Sequence, residues 1–145
     1  MNTLSPDEQL KLIERARQVA ANAYVPHSHF RVGAAVLGER GTYAGANVEN
    51  ASFGLGHCAE RSALSAAVAA GDRKIRAIAV ACIDADTASA PDELMPCGAC
   101  RQWILELAKD AVILIARPDG SSESVTISDL LPKPFRLIDK RERDS

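Results

Sequence analysis

No run of apolar residues approaches the roughly 18 that a membrane span requires, and the stretch from Met1 to Glu8 has neither the basic start nor the apolar segment of a secretory leader. A cytoplasmic protein without a membrane partner is the expectation. Basic charge is not in excess either. The net charge is -2, which argues against a groove that tracks phosphates and against a nucleic-acid partner. A small molecule is the better expected ligand. Internal repeats and linker-like composition shifts are absent, so the 145 residues read as one folded unit, long enough to bury about 68–70% of the unfolded surface. Cysteine is scarce, with four residues. A reducing compartment and a Cys-x-x-Cys spacing favour metal binding over disulfides.

Two short stretches carry the chemistry, His57-Cys58-Ala59-Glu60-Arg61 and Pro96-Cys97-Gly98-Ala99-Cys100-Arg101-Gln102. Each runs into an apolar helical pattern, Ala63-Leu64-Ala67-Val68 after the first and Trp103-Ile104-Leu107 after the second. Both sulfur clusters therefore fall at helix N-termini, where free backbone N–H groups and the helix dipole favour thiolates. Cys97 and Cys100 are three apart and share one face of a turn. With Cys58 they supply three sulfurs for one tetrahedral zinc, and no fourth protein ligand stands out. An open fourth position characterises catalytic zinc.

Spacing alone leaves a structural zinc and a redox dithiol open, because Cys-x-x-Cys serves all three. Glu60 weighs against both. It lies two residues beyond Cys58, roughly 200° around a helix, and is better placed to carry protons beside the metal than to ligate it. The combination of Cys ligands, a non-ligating Glu and Pro-Cys-x-x-Cys matches the general signature of zinc-dependent deaminases. His57 is a rival ligand on a different bearing, and Cys82 reads as a buried strand residue. Three thiolates on one zinc leave a net charge of about -1, which asks for compensation. The two helix N-termini and Arg61, donating to a ligand sulfur, are the candidates; the alternative for Arg61 is a solvated helix position.

Along the chain, Ser5-Pro6-Asp7-Glu8 is a capped helix start. Leu10, Ile13, Ala16 and Ala20 follow at helical spacing, and the helix is expected to run to about Tyr24-Val25-Pro26. Residues 30–37 and 42–48 form an antiparallel hairpin about Gly38-Glu39-Arg40-Gly41, bringing Asn47 and Glu49 to a strand end. A helix over about 58–70 stops at Gly71. Residues 75–83 form a central strand covered on both faces. A loop of undefined shape over 84–95 leads to the second helix, 97 to about 109. Residues 111–116 form another strand, Arg117-Pro118-Asp119-Gly120 a turn, and Val125-Thr126-Ile127 the last extended stretch. That return is too short for a parallel crossover, so the last two strands are antiparallel. Ser128 to Pro132 reads as a short capped segment. The expected architecture is a three-layer α/β/α fold with a mixed sheet of about five strands, residues 1–138 forming one catalytic domain and 139–145 a charged, mobile tail.

From Phe30 to Phe135 the chain resembles the free-nucleoside cytidine deaminases. The resemblance rests on Val32-Gly33-Ala34-Ala35, Asn47-Val48-Glu49-Asn50-Ala51, Cys58-Ala59-Glu60-Arg61, Pro96-Cys97-Gly98-Ala99-Cys100-Arg101-Gln102 and Leu130-Leu131-Pro132, in order. It implies hydrolytic deamination of cytidine and 2'-deoxycytidine, one zinc per subunit on Cys58, Cys97 and Cys100, and Glu60 as catalytic proton carrier. It also implies that Phe30, Asn47, Glu49, Ala59 and Phe135 meet the nucleoside. Phe135 would do so in a neighbouring subunit of a homo-oligomer, expected to be a tetramer. Without the resemblance, Asn47 and Glu49 read as a turn cap and an exposed carboxylate, and Phe30 as core. Two positions depart from the family pattern: His27 and Phe53 stand where tyrosine is usual. A deaminase of a modified cytosine nucleoside and a catalytically idle zinc module that binds nucleosides or RNA are the competing readings.

Overall fold

The computed structural model describes residues 3–143. Ser5 caps the first helix, α1 (Pro6–Ala20): its Oγ accepts from the Glu8 N–H at 3.1 Å, and Glu8 Oε1 accepts from the Ser5 N–H at 3.1 Å. The buried stripe is Leu12, Ile13, Ala16 and Ala20, whereas Leu10, expected in it, is 67% exposed. Leu10 lies about 100° from the centre of that stripe, and Leu12 fills the position instead. The helix also ends earlier than expected. After a turn at 21–22 the chain extends, because Tyr24 pairs with the strand end across the way, its N–H donating to Asn47 O at 3.0 Å and its carbonyl accepting from Glu49 N at 2.9 Å. A tertiary partner, not the proline, sets the boundary.

The hairpin forms as the sequence requires, with β1 (Val32–Gly38) antiparallel to β2 (Thr42–Ala46) in register Gly33↔Ala46 to Leu37↔Thr42. After it come α2 (Ala59–Ala69), β3 (Ile75–Cys82), α3 (Gly98–Ala108), β4 (Val112–Ala116) and β5 (Ser122–Val125). Strand order among the described residues is β2-β1-β3-β4-β5. Only β3 and β4 run parallel, through the α3 crossover, and β5 returns antiparallel to β4.

Period-two alternation divides the core between two faces. Ile78 and Val80 of β3 face α2 and α3, while Ala77, Ala79 and Ala81 face α1. The result is the expected three-layer α/β/α arrangement. Gly45 lets α2 lie close on β2, since a Cβ there would stand 2.6 Å from both Ala63 N and Ser62 Cβ. Gly71, with φ 86°, ends α2 as anticipated. The last extended stretch begins and ends earlier than expected, at Ser122 and Val125: Thr126 leaves the sheet to cap α4 (Ile127–Leu130), exchanging hydrogen bonds with Asp129 at 2.9 and 3.2 Å. Thr126, not Ser128, begins that segment. At the C-terminus α5 spans Lys140–Arg143, and Arg141 pairs with Asp139 at 2.7 Å. The final two residues of the anticipated tail, Asp144 and Ser145, lie outside the described residues.

One buried carboxylate carries no local signal in the sequence. Asp72, 1% exposed, accepts from Arg40 N at 2.8 Å, Tyr43 Oη at 3.1 Å, Glu39 N at 3.2 Å and Lys74 N at 3.3 Å. It pins the hairpin turn to the start of β3. Burial opposes its charge, but these donors outweigh burial and hold the carboxyl below its usual range. A depressed folded pKa gives stability that is present above the unfolded value, about 3.9, and lost as pH falls through the folded value. Asp72→Asn is expected to cost about 2–4 kcal/mol at neutral pH. Denaturant unfolding should show the gap from the unsubstituted protein shrinking below about pH 4; a pH-independent gap would remove the charge from this account.

Candidate metal centre and adjoining cleft

Helices α2 and α3 point their N-termini at the same spot. Cys58 is the N-cap of α2 and Cys97 the N-cap of α3, both extended at ψ 153° and 170°, and neither helix end is closed by a side-chain cap. Cys100 follows one turn into α3. The three sulfurs lie within 4.8 Å of one another, with Cys58 and Cys97 Sγ 3.7 Å apart. A tetrahedral zinc with Zn–S near 2.3 Å requires sulfurs about 3.8 Å apart, so the donor set fits that ion. Cys100 is buried, Cys58 half-buried and Cys97 exposed, so the cluster opens to one side.

Charge around the sulfurs is arranged to match. The Cys58 thiol is drawn down to about 5, by hydrogen bonding from Cys100 first and then by Arg61 and Cys97, against the effect of burial. Cys100, engaged with Cys58 and buried, is pushed up. Arg61 Nη2 donates to Cys58 Sγ at 3.5 Å, while its Nε is buried without a partner. A cationic side chain committed to a thiolate at the expense of its own hydrogen bonding is the compensation that a three-thiolate zinc site calls for. His57 is not part of the cluster. Its backbone pairs with Val48 in both directions, at 2.8 and 2.9 Å, and its ring meets Trp103 edge-on at 6.3 Å.

Beside the sulfurs lies a cleft of about 130 Å³ that includes Phe30, Asn47, Ala59 and Glu60. Glu60, in the first turn of α2, is 4% exposed. Burial above all, with the charge of Cys58, raises its carboxyl. A carboxylate shifted toward neutral pH next to a metal-ligating sulfur set is suited to take up and release protons. Cys82 ends β3 and lines the same cleft; it is half-buried, and its thiol is pushed up to about 12 by burial and by Glu60. Glu93, Leu94 and Met95 also line it, carried by a 3-10 turn at Pro91–Leu94. That loop shows no periodicity in the sequence, and its proximity to Pro96-Cys97 is the one signal for a place in the cleft.

Asn47 and Glu49 are placed differently from each other. Asn47 Oδ1 accepts from Val32 N at 2.8 Å and Nδ2 donates to Phe30 O at 2.9 Å, so its amide secures the entry to β1 from the cleft wall. Glu49 Oε1 accepts from His27 N and Ser28 N, both at 3.0 Å, and the carboxyl lines an adjacent hollow of about 360 Å³ with Asn50, Phe53 and Gly56. Hydrogen bonds from Ser28, then from the His27 backbone, hold that carboxyl below its usual range. The departing residues His27 and Phe53 pack on each other, ring centroids 5.6 Å apart at 63°.

Phe135 is not among the residues of its own chain's cleft. It is 71% exposed on the outer side of α3, where it lines a groove with Trp103, Leu107 and Leu137. Arg101 is structural: Nε donates to Pro96 O and Nη1 to Leu130 O, both at 2.8 Å, tying the sulfur loop to the end of α4. No helix among the described residues is long and apolar enough to cross a membrane.

Residues 6–116 match the family model described as cytidine and deoxycytidylate deaminase zinc-binding region. The chain is 44% identical over 138 residues to a cytidine deaminase of Halalkalibacterium halodurans, covering 94% of this chain and 99% of that protein. It is 40% identical over 141 residues to a cytidine deaminase of Mycobacterium tuberculosis, covering 95% and 98%. Among solved structures, the cytidine deaminase from Burkholderia pseudomallei superposes with TM-score 0.79 at 40% identity, over 91% of this chain and 100% of that one. The Mycobacterium tuberculosis enzyme superposes with TM-score 0.72 at 38% identity, over 88% and 97%.

Proposed function

The chain belongs to the cytidine and deoxycytidylate deaminase family, and we infer from that membership that it catalyses hydrolytic deamination of cytidine and 2'-deoxycytidine to uridine and 2'-deoxyuridine, releasing ammonia in pyrimidine salvage. One observation carries the reading: a buried carboxylate, Glu60, beside three sulfurs spaced for a tetrahedral ion and open on one side. Zinc held by Cys58, Cys97 and Cys100 supplies the Lewis acidity that makes water a nucleophile at neutral pH.

The chain's own residues supply the rest. Glu60 takes a proton from the attacking water and delivers it to N3 of the pyrimidine as C4 is attacked. It then hands a second proton to the 4-amino group, the C4–N bond breaks, and the water oxygen remains as the 4-oxo group. Burial keeps Glu60 dry and shifts its carboxyl toward the operating pH, which suits it to both transfers. Arg61 offsets the charge of the Cys58 thiolate. Ala59, the first residue of α2, lines the cleft with a methyl side chain, leaving room beside the helix start. Phe30 packs against the base.

Asn47 and Glu49 are assigned to the sugar, Asn47 from the cleft wall and Glu49 from the hollow beside it. Asn47→Ala and Glu49→Ala are each expected to raise KM about tenfold, the value of a charged or bidentate hydrogen bond, with smaller effects on kcat. Steady-state kinetics with cytidine check this, and unchanged KM would remove them from the sugar site.

The active unit is assigned as a homotetramer in which Phe135 completes a neighbour's cleft. Support comes from the exposure of Phe135 outside its own cleft, and from a cleft of about 130 Å³, below the roughly 300 Å³ of an ordinary small-molecule site. Residues 1–138 are assigned to one catalytic domain, followed by a charged tail, and four free thiols suit a reducing cytoplasm. The direct test of function is the ultraviolet absorbance of cytidine mixed with the purified, zinc-loaded protein. Loss of the cytidine band is expected; a stable band with both cytidine and deoxycytidine would overturn the reading.

A further inference from the structure

The segment that carries Phe135 has little to hold it. Residues 132–138 form no helix or strand, Pro132 and Pro134 remove two backbone donors, and Phe135 and Leu137 are 71% and 88% exposed. Among the described residues, the hydrogen bond that fastens this segment to the body of the fold runs from Gln102 Nε2 to Phe135 O at 2.9 Å. Its upstream end is held by the neighbouring side chain: Arg101 Nη1 donates to Leu130 O at 2.8 Å. Gln102 and Arg101 directly follow Cys100 in α3. A backbone carbonyl held at that residue fixes where the chain presents the ring while leaving the ring itself free for another surface.

We propose that Gln102 is a positioning residue for substrate binding in the neighbouring subunit: by holding the Phe135 carbonyl, it sets the place at which the Phe135 ring is delivered. This rests on the assignment of Phe135 to a neighbour's cleft. Gln102 thus serves a site to which its own chain contributes no Cys58, Glu60 or Phe30. The consequence is specific. Loss of Gln102 damages the active site of the adjacent protomer, and leaves the metal centre and the proton carrier of its own chain intact. Ordering the loosened segment is then required on each binding event, so the defect falls on KM more than on kcat.

Homo-oligomers of Gln102→Ala are expected to bind zinc fully and to show KM raised about three- to tenfold, the worth of one neutral hydrogen bond plus the ordering it replaced, with kcat within about twofold. Gln102→Lys, which keeps a donor at the end of a long side chain, should restore much of the affinity. The decisive measurement is a mixed assembly. Gln102→Ala protomers are co-expressed with a large excess of Glu60→Ala protomers, which lack the proton carrier but keep Gln102 and Phe135. Every working site then belongs to a Gln102→Ala chain and takes Phe135 from a Glu60→Ala neighbour. A return of KM toward that of the unsubstituted protein is the expected result. KM that stays raised in the mixture would place the effect of Gln102 within its own site and overturn the proposal. Phe135→Ala mixed with Glu60→Ala is the parallel test of the underlying assignment: recovery there with none for Gln102→Ala rejects only the role of Gln102, whereas unaltered kinetics in the Phe135→Ala homo-oligomer reject both.

Discussion

Glu60→Ala is expected to retain its zinc and to lose about 10⁴-fold in kcat with cytidine, the upper range for removal of a positioned general acid–base. In the proposed mechanism both proton transfers pass through this carboxylate, so the loss falls on one residue. Glu60→Gln should fall equally far, since the amide keeps the shape and cannot carry the proton. Metal analysis beside absorbance kinetics separates this from collapse of the site. Near-normal turnover with zinc in place would discard the proton-carrier role. Stability moves the other way. The folded carboxyl is raised, chiefly by burial, so its ionisation costs nothing below the unfolded value of about 4.3 and increasingly opposes folding as pH rises toward the folded value. In zinc-free protein, Glu60→Gln is therefore expected to be at least as stable as the unsubstituted chain at neutral pH.

Cys97→Ala is expected to have the second large effect, abolishing both metal and turnover. Two sulfurs remain, one of them the buried Cys100, and loss of a ligand from a three-thiolate set removes affinity as well as geometry. Zinc content below about a tenth of an equivalent after dialysis is expected, with no measurable deamination. Retention of both would show that the ligand set is different. Cys82→Ala is the control for metal content. Its sulfur lies outside the cluster of Cys58, Cys97 and Cys100, so zinc should stay. Zinc retention also depends on pH, because the ligand thiols must give up their protons. The Cys58 thiol is drawn down to about 5, first by hydrogen bonding from Cys100 and then by Arg61.

The metal site was legible because its signals are local. Cys97 and Cys100 are three residues apart, and each cysteine precedes a helical apolar pattern, so short-range geometry already places thiolates at helix starts. Glu60 was legible for the same reason, as an offset along one turn. The capping box at Ser5 and Glu8 and the antiparallel end of the sheet followed from rules that operate over a few residues. The helix end near Tyr24 did not. Proline at 26 forbids helix beyond a point, but the pairing of Tyr24 with the 47–49 segment ends it sooner, and nothing near Tyr24 encodes that partner.

By itself, then, the sequence determined which groups come together, three cysteine sulfurs and one carboxylate in an α/β/α fold, all set by spacing, apolar pattern and turn length. Tertiary structure decided what those groups face. Only the assembled sheet shows Asn47 with its amide engaged by Phe30 and Val32, Glu49 opening on a separate hollow, and Cys82 lining the cleft rather than buried away from it. Only the packed C-terminal segment shows Phe135 held through its backbone by Gln102 and turned away from its own cleft. The physical reason is the range of the forces. Helix starts, caps and ligand spacings are fixed by neighbours in the chain, whereas the partners of Asn47, Asp72 and Phe135 lie 17, 29 to 33 and 33 residues away for the bonds Asn47–Phe30, Asp72 with Tyr43, Arg40 and Glu39, and Gln102–Phe135. Those pairings exist only once the sheet and its two helical layers have closed.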